Sequence, residues 1–306
     1  MKSKILTILR KEQEIISGED LSNRLGVSRV TIWKHLKSLQ KLGYQINAGP
    51  KGYQYSQDND FLYPWEFGSR SNLIHHHKSI PSTMAAAREL ARNGAPDQTL
   101  VIAESQTKGR GRMQRLWISD KGGLYFTIIL RPDVPVISGF LLNFITSTAL
   151  VETIREFCSV DARVKWPNDI LIGNSKICGM LSEMEATDDM VTFINIGIGL
   201  NVNNNPTNNE PTATSLKLQV GKNFNRRALL TDFLDRLQGR LSDLQLENAV
   251  ARWKEYTLTI GRQVRIVTTK KTFEGKAVDV DNSGALLLRQ DDGNITKVIY
   301  GDCFHI

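Results

Sequence analysis

The 306-residue chain reads as an α+β protein with a winged helix-turn-helix head over residues 1–57, a linker over 58–73, a mixed-sheet domain over 74–258 and a small β module over 259–306. Three observations predict this division. Ten Lys/Arg stand against four Asp/Glu in residues 1–57, a balance of +6 that accounts for nearly all of the +7 net charge. Runs of adjacent strand-like segments between 74 and 258 have their helical segments set apart, which suggests an α+β mixed sheet rather than a βαβ repeat. From residue 259 the apolar residues alternate with period two between turn-forming clusters.

An apolar content of 41% and a charged content of 23% are those of an ordinary globular protein, not a disordered one. No apolar run in the sequence approaches the roughly 20 residues that span a bilayer. The opening MKSKILTILRKEQE is broken by charge too early for a secretory signal. Cys158, Cys178 and Cys303 are odd in number and widely spaced, a pattern that fits reduced thiols in a cytoplasmic protein. The run His75-His76-His77 has no Cys or carboxylate at metal-ligand spacing and is expected to be an exposed turn.

Within GEDLSNRLGVSRVTIWKHLKSLQKLGY, Leu21 and Leu25 form one apolar stripe that Gly26 ends, and Ser28 stands at the N-cap position of a second helix whose stripe is Ile32, Leu36 and Leu39. Helix, glycine turn and helix make a helix-turn-helix. With that stripe inward, Thr31, Lys34 and Lys37 face outward and Ser28 and Arg29 lie at the helix start, where base edges and phosphates would be met. YQINAGPKGYQY adds a hairpin wing carrying Lys51. The competing reading is a small helical protein-interaction module; cap, stripe, charge and wing together favour DNA. Trp33 either flanks the DNA face or packs against the wing. The following DNDFLYPWEFGSRSN loses periodicity, but its four aromatic residues suggest that it packs on something.

In the central domain, Ser82–Gly94 is a capped helix, TLVIAE (99–104) and LYFTIIL (124–130) are buried strands, and 140–157 is a long amphipathic helix. VKWPNDILI is a Pro-Asn-Asp turn between strands, followed by strands in KICGMLSEME and VTFINIGIGLNVN. Between the first two strands lies KGRGRMQRLW (108–117), whose four cations and two glycines suit neither helix nor strand. No GxxxxGK[ST] or strand-linked GxGxxG is present, so a P-loop or dinucleotide turn is not the reading.

Taken in order, Gly109-Arg-Gly-Arg112 followed by Trp117, Lys165-Trp-Pro-Asn-Asp169, Lys176-Ile-Cys-Gly179 and Gly197-Ile-Gly-Leu-Asn201 resemble the motifs of the biotin protein ligases. With the helix-turn-helix, the chain resembles the bifunctional kind that is also the biotin operon repressor. The resemblance implies a catalytic domain of the class II synthetase type and an SH3-like C-terminal barrel that assists ATP binding or carrier docking. It further implies that biotin and ATP, with Mg²⁺, form biotinyl-5′-adenylate, and that biotin passes to a lysine of the carrier domain of biotin-dependent carboxylases. Operator DNA is the second partner, bound by an adenylate-dependent homodimer, with no membrane involved.

By the same resemblance, Lys176, Arg112 and Arg110 are catalytic. Ser82, Thr83, Gln106, Arg110, Gly111, Arg112, Trp117, Lys176 and Gly179 bind biotin. Arg112, Arg115, Lys165, Asn168, Asp169 and Asn201 bind ATP or the adenylate, with Asp169 as the candidate Mg²⁺ ligand. A mobile basic loop suits this chemistry, because charge accumulates on phosphate and the mixed anhydride must be kept from water. Lys108 alone is expected to be simply solvated. Met84 stands where Asn is frequent in the family and Gln114 where Gly is frequent, which bears on biotin affinity and loop stiffness. The alternatives are a non-catalytic biotin-sensing transcription factor, which the cations Arg110, Arg112, Lys165 and Lys176 disfavour, and a lipoate-type acyl-protein ligase on a similar fold.

Overall fold

The computed structural model of the protein describes every residue except Gln13, Asp58 and Asn209, so the first position of the expected linker lies outside the described residues. The chain divides into two compact units, Met1–Asn72 and Leu73–Ile306.

The first unit opens with a helix where the charged start of the chain gave no expectation of one. α1 (Lys2–Glu12) buries Ile5, Leu6 and Leu9 against α2 (Gly18–Leu25) and α3 (Arg29–Lys41). Ser17 Oγ caps α2 by accepting from Asp20 N, and Gly26 ends it at φ 64°, the left-handed conformation expected there. Ser28 Oγ caps α3 by accepting from Thr31 N. β1 (Gln45–Gly49) and β2 (Gly52–Gln57) form the antiparallel wing. Phe61, Tyr63 and Trp65 pack against the same core. Glu66, whose side chain is fully buried, accepts from Arg10 Nη1 at 2.9 Å and from Tyr44 OH at 2.5 Å, and Trp65 Nε1 donates to Tyr44 OH at 2.9 Å. These bonds fasten the post-wing segment to the helical module.

The second unit is built on a seven-stranded sheet. Its strands are β3 (Ile74–His77), β4 (Thr99–Ala103), β5 (Leu124–Leu130), β6 (Ala162–Lys165), β7 (Asp169–Ile172), β8 (Ser175–Thr187) and β9 (Met190–Leu200), in the order β3-β4-β5-β9-β8-β7-β6. Among the described residues of this sheet, the β3–β4 pair alone is parallel and the other strand pairs are antiparallel. His75–His77 is therefore an edge strand, not the expected turn: its carbonyls and amides find partners on β4, and His76 Nε2 lies 3.4 Å from Glu104 Oε1. α4 (Thr83–Arg92) packs on β4, β5 and β9. A short α5 (Val136–Gly139) leads into α6 (Leu141–Cys158).

The expected amphipathic helix is buried almost all round, including the polar residues Thr146, Ser147, Thr148 and Thr153. Thr146 and Thr148 satisfy their hydroxyls on the helix's own carbonyls. Val136–Cys158 spans 23 residues and is apolar enough to cross a membrane by length and composition, longer than any run expected from sequence. With 78% of its most apolar window buried inside the fold, it serves as the core helix. It packs on α8 (Arg226–Ser242) and α9 (Leu246–Lys254), which follow the short α7 (Leu216–Val220).

The C-terminal residues form a second, antiparallel sheet of β10 (Gln263–Val267), β11 (Thr272–Val280), β12 (Leu286–Arg289), β13 (Ile295–Val298) and β14 (Asp302–His305), ordered β13-β12-β11-β10-β14. It is anchored by fully buried Trp166, which donates from Nε1 to Gly284 O at 3.0 Å and from its backbone N to Thr259 Oγ1 at 2.9 Å.

Candidate active site and nucleic-acid face

One large cleft, of about 810 Å³, opens where the basic loop, the β6–β7 turn, the first half of β8, the end of β9, and β14 meet. β8 and β9 are in register with Gly179 opposite Gly199 and Leu181 opposite Gly197. The missing side chains let two bulky groups lie flat on the sheet. Trp117 covers Gly179 and Gly199, where any Cβ would collide with the indole, and Met84 covers Gly197 in the same way. Lys176 Nζ stands 5.4 Å from the centre of the Trp117 ring and 2.7 Å from Asp169 Oδ1. Asp169 sits on β7 directly opposite Gly179.

The basic loop is closed on itself by Trp117 N donating to Gly109 O at 2.9 Å and Gly111 N to Arg115 O at 2.8 Å. Met113 and Gln114 have φ of 48° and 60°, in the left-handed region. Glycine takes that conformation freely, whereas two non-glycine residues each cost about 1 kcal/mol or more there. Arg112 reaches Asn168 Oδ1 at 3.1 Å and Gly301 O at 2.8 Å. Burial pulls its guanidinium below the ordinary arginine value, and Asp302 and Asp169 oppose that shift. Arg115 pairs with Asp302 at 2.6 Å. Arg110 also lines the cleft, but its guanidinium is 3.2 Å from Glu183, which Arg88 on α4 pairs as well. Lys108 is exposed.

At the inner end, Thr127 Oγ1 donates to Thr83 Oγ1, which with Thr83 N donates to Gln106 Oε1, while Gln106 Nε2 donates to Ser119 Oγ at 2.9 Å. Gln106 therefore spends both amide ends on protein groups, whereas the resemblance implies that it binds biotin. Ser82 caps no amide of α4, and its buried hydroxyl has no hydrogen-bond partner among the described residues. Asn201, also buried, accepts from Asn204 Nδ2 at 2.9 Å. Lys165 faces the cleft 6.0 Å from the centre of the Phe304 ring.

Of the expected cleft residues, all but Ser82 line this one cavity. Sequence reasoning missed the wall supplied by β14. Asp302, Cys303, Phe304 and His305 lie nearly 190 positions from the basic loop, and no local pattern marks them. Burial pushes the Cys303 thiol up to about 12, so it is an inert packing group. Burial, with Lys165 and Arg262 nearby, holds His305 down at about 4. Thr212 and Ala213, which bond the start of β8 at Lys176, were also missed. Among the described residues no group of three or more His, Cys, Asp or Glu could hold a metal ion by itself.

In the first unit, α3 turns Ile32, Leu36 and Leu39 inward and leaves Arg29, Lys34 and Lys37 exposed, with Lys51 exposed on the wing. Ser28 and Thr31 are engaged with each other, Oγ to Oγ1 at 2.9 Å, so their hydroxyls are less available than their positions suggested. Trp33 is 51% exposed and Val30 is 60% exposed. Neither is among the buried or partly buried residues of the core cluster.

Comparison with known proteins agrees with this geometry. Residues 77–203 match the Biotin/lipoate A/B protein ligase family, residues 2–54 an HTH domain and residues 259–306 the Biotin protein ligase C terminal domain. The chain is 38% identical to the Bifunctional ligase/repressor BirA of Bacillus subtilis, covering 94% of this chain and 93% of that protein. It belongs to the bifunctional biotin ligase/repressor family. This ligase is also 33% identical to the Biotin--[acetyl-CoA-carboxylase] ligase of Mycobacterium tuberculosis, over 74% of this chain and 86% of the relative. The biotin protein ligase of Aquifex aeolicus, solved in complex with biotin and ATP, superposes with a TM-score of 0.64 at 27% identity, over 76% of this chain and 97% of that one. The activity is that of a biotin protein ligase, joined to a repressor's helix-turn-helix.

Proposed function

We propose that the cleft takes biotin and ATP, joins them as biotinyl-5′-adenylate with loss of pyrophosphate, and then passes biotin to a lysine of a carboxylase carrier domain. The observation that carries this reading is the convergence of Lys176, Asp169, Arg112 and Asn168 from three separated motifs onto one cavity floored by Gly179, Gly197 and Gly199. Thr83 lies at the inner end, where Gln106 would hold it in place or rearrange to reach the neutral ureido group of biotin. Ser82, buried beside it with an unpartnered hydroxyl, does not line the cleft as it stands and would have to turn toward it to join them. Lys176 is the group to bridge the biotin carboxylate and the α-phosphate, with Asp169 keeping its ammonium oriented until substrate arrives.

Arg112 and Arg110 supply charge at the carboxylate and phosphate. Arg115, Lys165, Asn168 and Asn201 face the nucleotide, and Gly111, Gly179 and Trp117 shape the space between the two substrates. Asp169 offers one carboxylate beside Asn168, which fits Mg²⁺ carried in on ATP, since that ion usually takes only one or two protein carboxylates besides phosphate oxygens. When bound, it would neutralise charge on the phosphates.

The work divides as DNA binding by residues 1–57 through Ser28, Arg29, Thr31, Lys34, Lys37 and Lys51, joining by 58–73, catalysis by 74–258, and completion of the ATP-side wall by 259–306. Repression by an adenylate-dependent homodimer on operator DNA, in the cytoplasm, completes the reading. Its test is ATP–pyrophosphate exchange with and without biotin. Biotin-dependent exchange is expected; bound biotin without exchange would leave a sensor, and exchange driven as well by lipoate would point to the other branch of the matched family.

A further inference from the structure

α3 presents an apolar pair where a purely electrostatic DNA-binding face would not need one. Val30 and Trp33 are 60% and 51% exposed, and they lie one helical turn apart. Lys34 stands four residues beyond Val30, and Lys37 four beyond Trp33, so the pair is enclosed by exposed cations, with Arg29 at the helix start. Leaving a β-branched residue and an indole more than half exposed to water brings little folding benefit, and valine is a weak helix former. The occupant of such a face must be anionic at its margins and carry small apolar groups at its centre. Duplex DNA approached through the major groove has both features, phosphates along the edges and the thymine 5-methyl on the floor.

Resting on the reading of this unit as a DNA-binding head, we infer that Val30 and Trp33 read thymine methyl groups, so that each operator half-site carries thymine at the steps facing the first two turns of α3. Arg29, Lys34 and Lys37 set the register on the backbone, and Val30 and Trp33 select among sequences. The carboxamide and carboxylate side chains that read adenine or cytosine directly are absent from these exposed positions.

The test uses the full chain with biotin and ATP. Bound duplexes are selected from a random library, and each thymine of the selected half-site is then replaced by deoxyuridine, which removes only the methyl. Losing one buried methyl should weaken binding roughly fourfold at one or two thymines per half-site. The same replacement should cost nothing further in Val30→Ala or Trp33→Ala, at the position each residue covers. Tight binding to a selected duplex that tolerates deoxyuridine everywhere would overturn methyl reading and leave DNA binding intact. Failure to enrich any duplex would overturn the DNA reading and this inference with it. Because the methyl is removed from the DNA, a variant that folds poorly cannot produce the expected result.

Discussion

Replacing Gly109 by Ala adds one methyl group to a turn that has no room for it. Both glycines of the basic loop look equivalent in sequence, but the structure separates them. A Cβ on Gly109 would lie more than about 1 Å inside ordinary contact distance of the Trp117 carbonyl oxygen, and would also crowd Ser119 Oγ at 2.9 Å. The obstacle is backbone, so the loop must retreat by about 1 Å and strain the Trp117 N–Gly109 O hydrogen bond that closes it. Overpacking of this kind costs about 1–3 kcal/mol, and loss of the bond about 1 kcal/mol more. The loop carries Arg112 and Trp117, and a displacement of about 1 Å of such groups lowers turnover on the order of 10²-fold.

A Cβ on Gly111 would meet only Arg115 O at 3.3 Å, a contact that small adjustments relieve. Gly111→Ala should therefore lose no more than roughly tenfold, less than one to two kcal/mol. Biotin-dependent ATP–pyrophosphate exchange measures both variants. Full exchange in Gly109→Ala, or a larger loss in Gly111→Ala than in Gly109→Ala, would refute the assignment of the close approach to Gly109.

Two further outcomes follow from the contacts around the cleft. Arg112→Gly removes the bonds to Asn168 and Gly301 that tie the loop to the β6–β7 turn and to the C-terminal sheet, so adenylate should dissociate roughly tenfold or more faster; unchanged retention in a dissociation assay would sink that account. His305 is held at about 4, below the ordinary value near 6.5, so the folded state resists protonation that the unfolded chain accepts. Stability from this group is present above about pH 6.5 and is lost as pH falls toward 4. The full shift would correspond to about 3 kcal/mol, and screening of this half-exposed ring reduces it to about 1–2 kcal/mol. Thermal melts between pH 7 and 5 should show a falling midpoint whose slope shrinks in His305→Gln.

Local chemistry made much of this protein legible in its sequence. Ser28 and Gly26 mark helix ends because capping depends on residues within one turn, and Pro167-Asn168-Asp169 marks a turn for the same reason, although Asp169 is already the first residue of β7. The charge skew of residues 1–57 and the glycines of β8 and β9 also carry meaning without neighbours: like charges accumulate for an anionic partner, and a strand glycine leaves a gap for something to fill. α6 departs from the amphipathic expectation because back-bonding of Thr146 and Thr148 to the helix lets polar residues be buried as well. His75–His77 misled because an edge strand of four residues is too short to show a period.

What only the tertiary structure decided are the pairings made across the chain. Arg115 with Asp302, Arg112 with Gly301, Arg110 with Glu183 and His305 against Arg262 join positions tens to nearly two hundred residues apart. Such partners are chosen by the packing of the two sheets, and no spacing in the sequence encodes which cation meets which oxygen. The sequence by itself determined which side chains could do the chemistry; the fold decided which of them share a cavity and which neutralise one another.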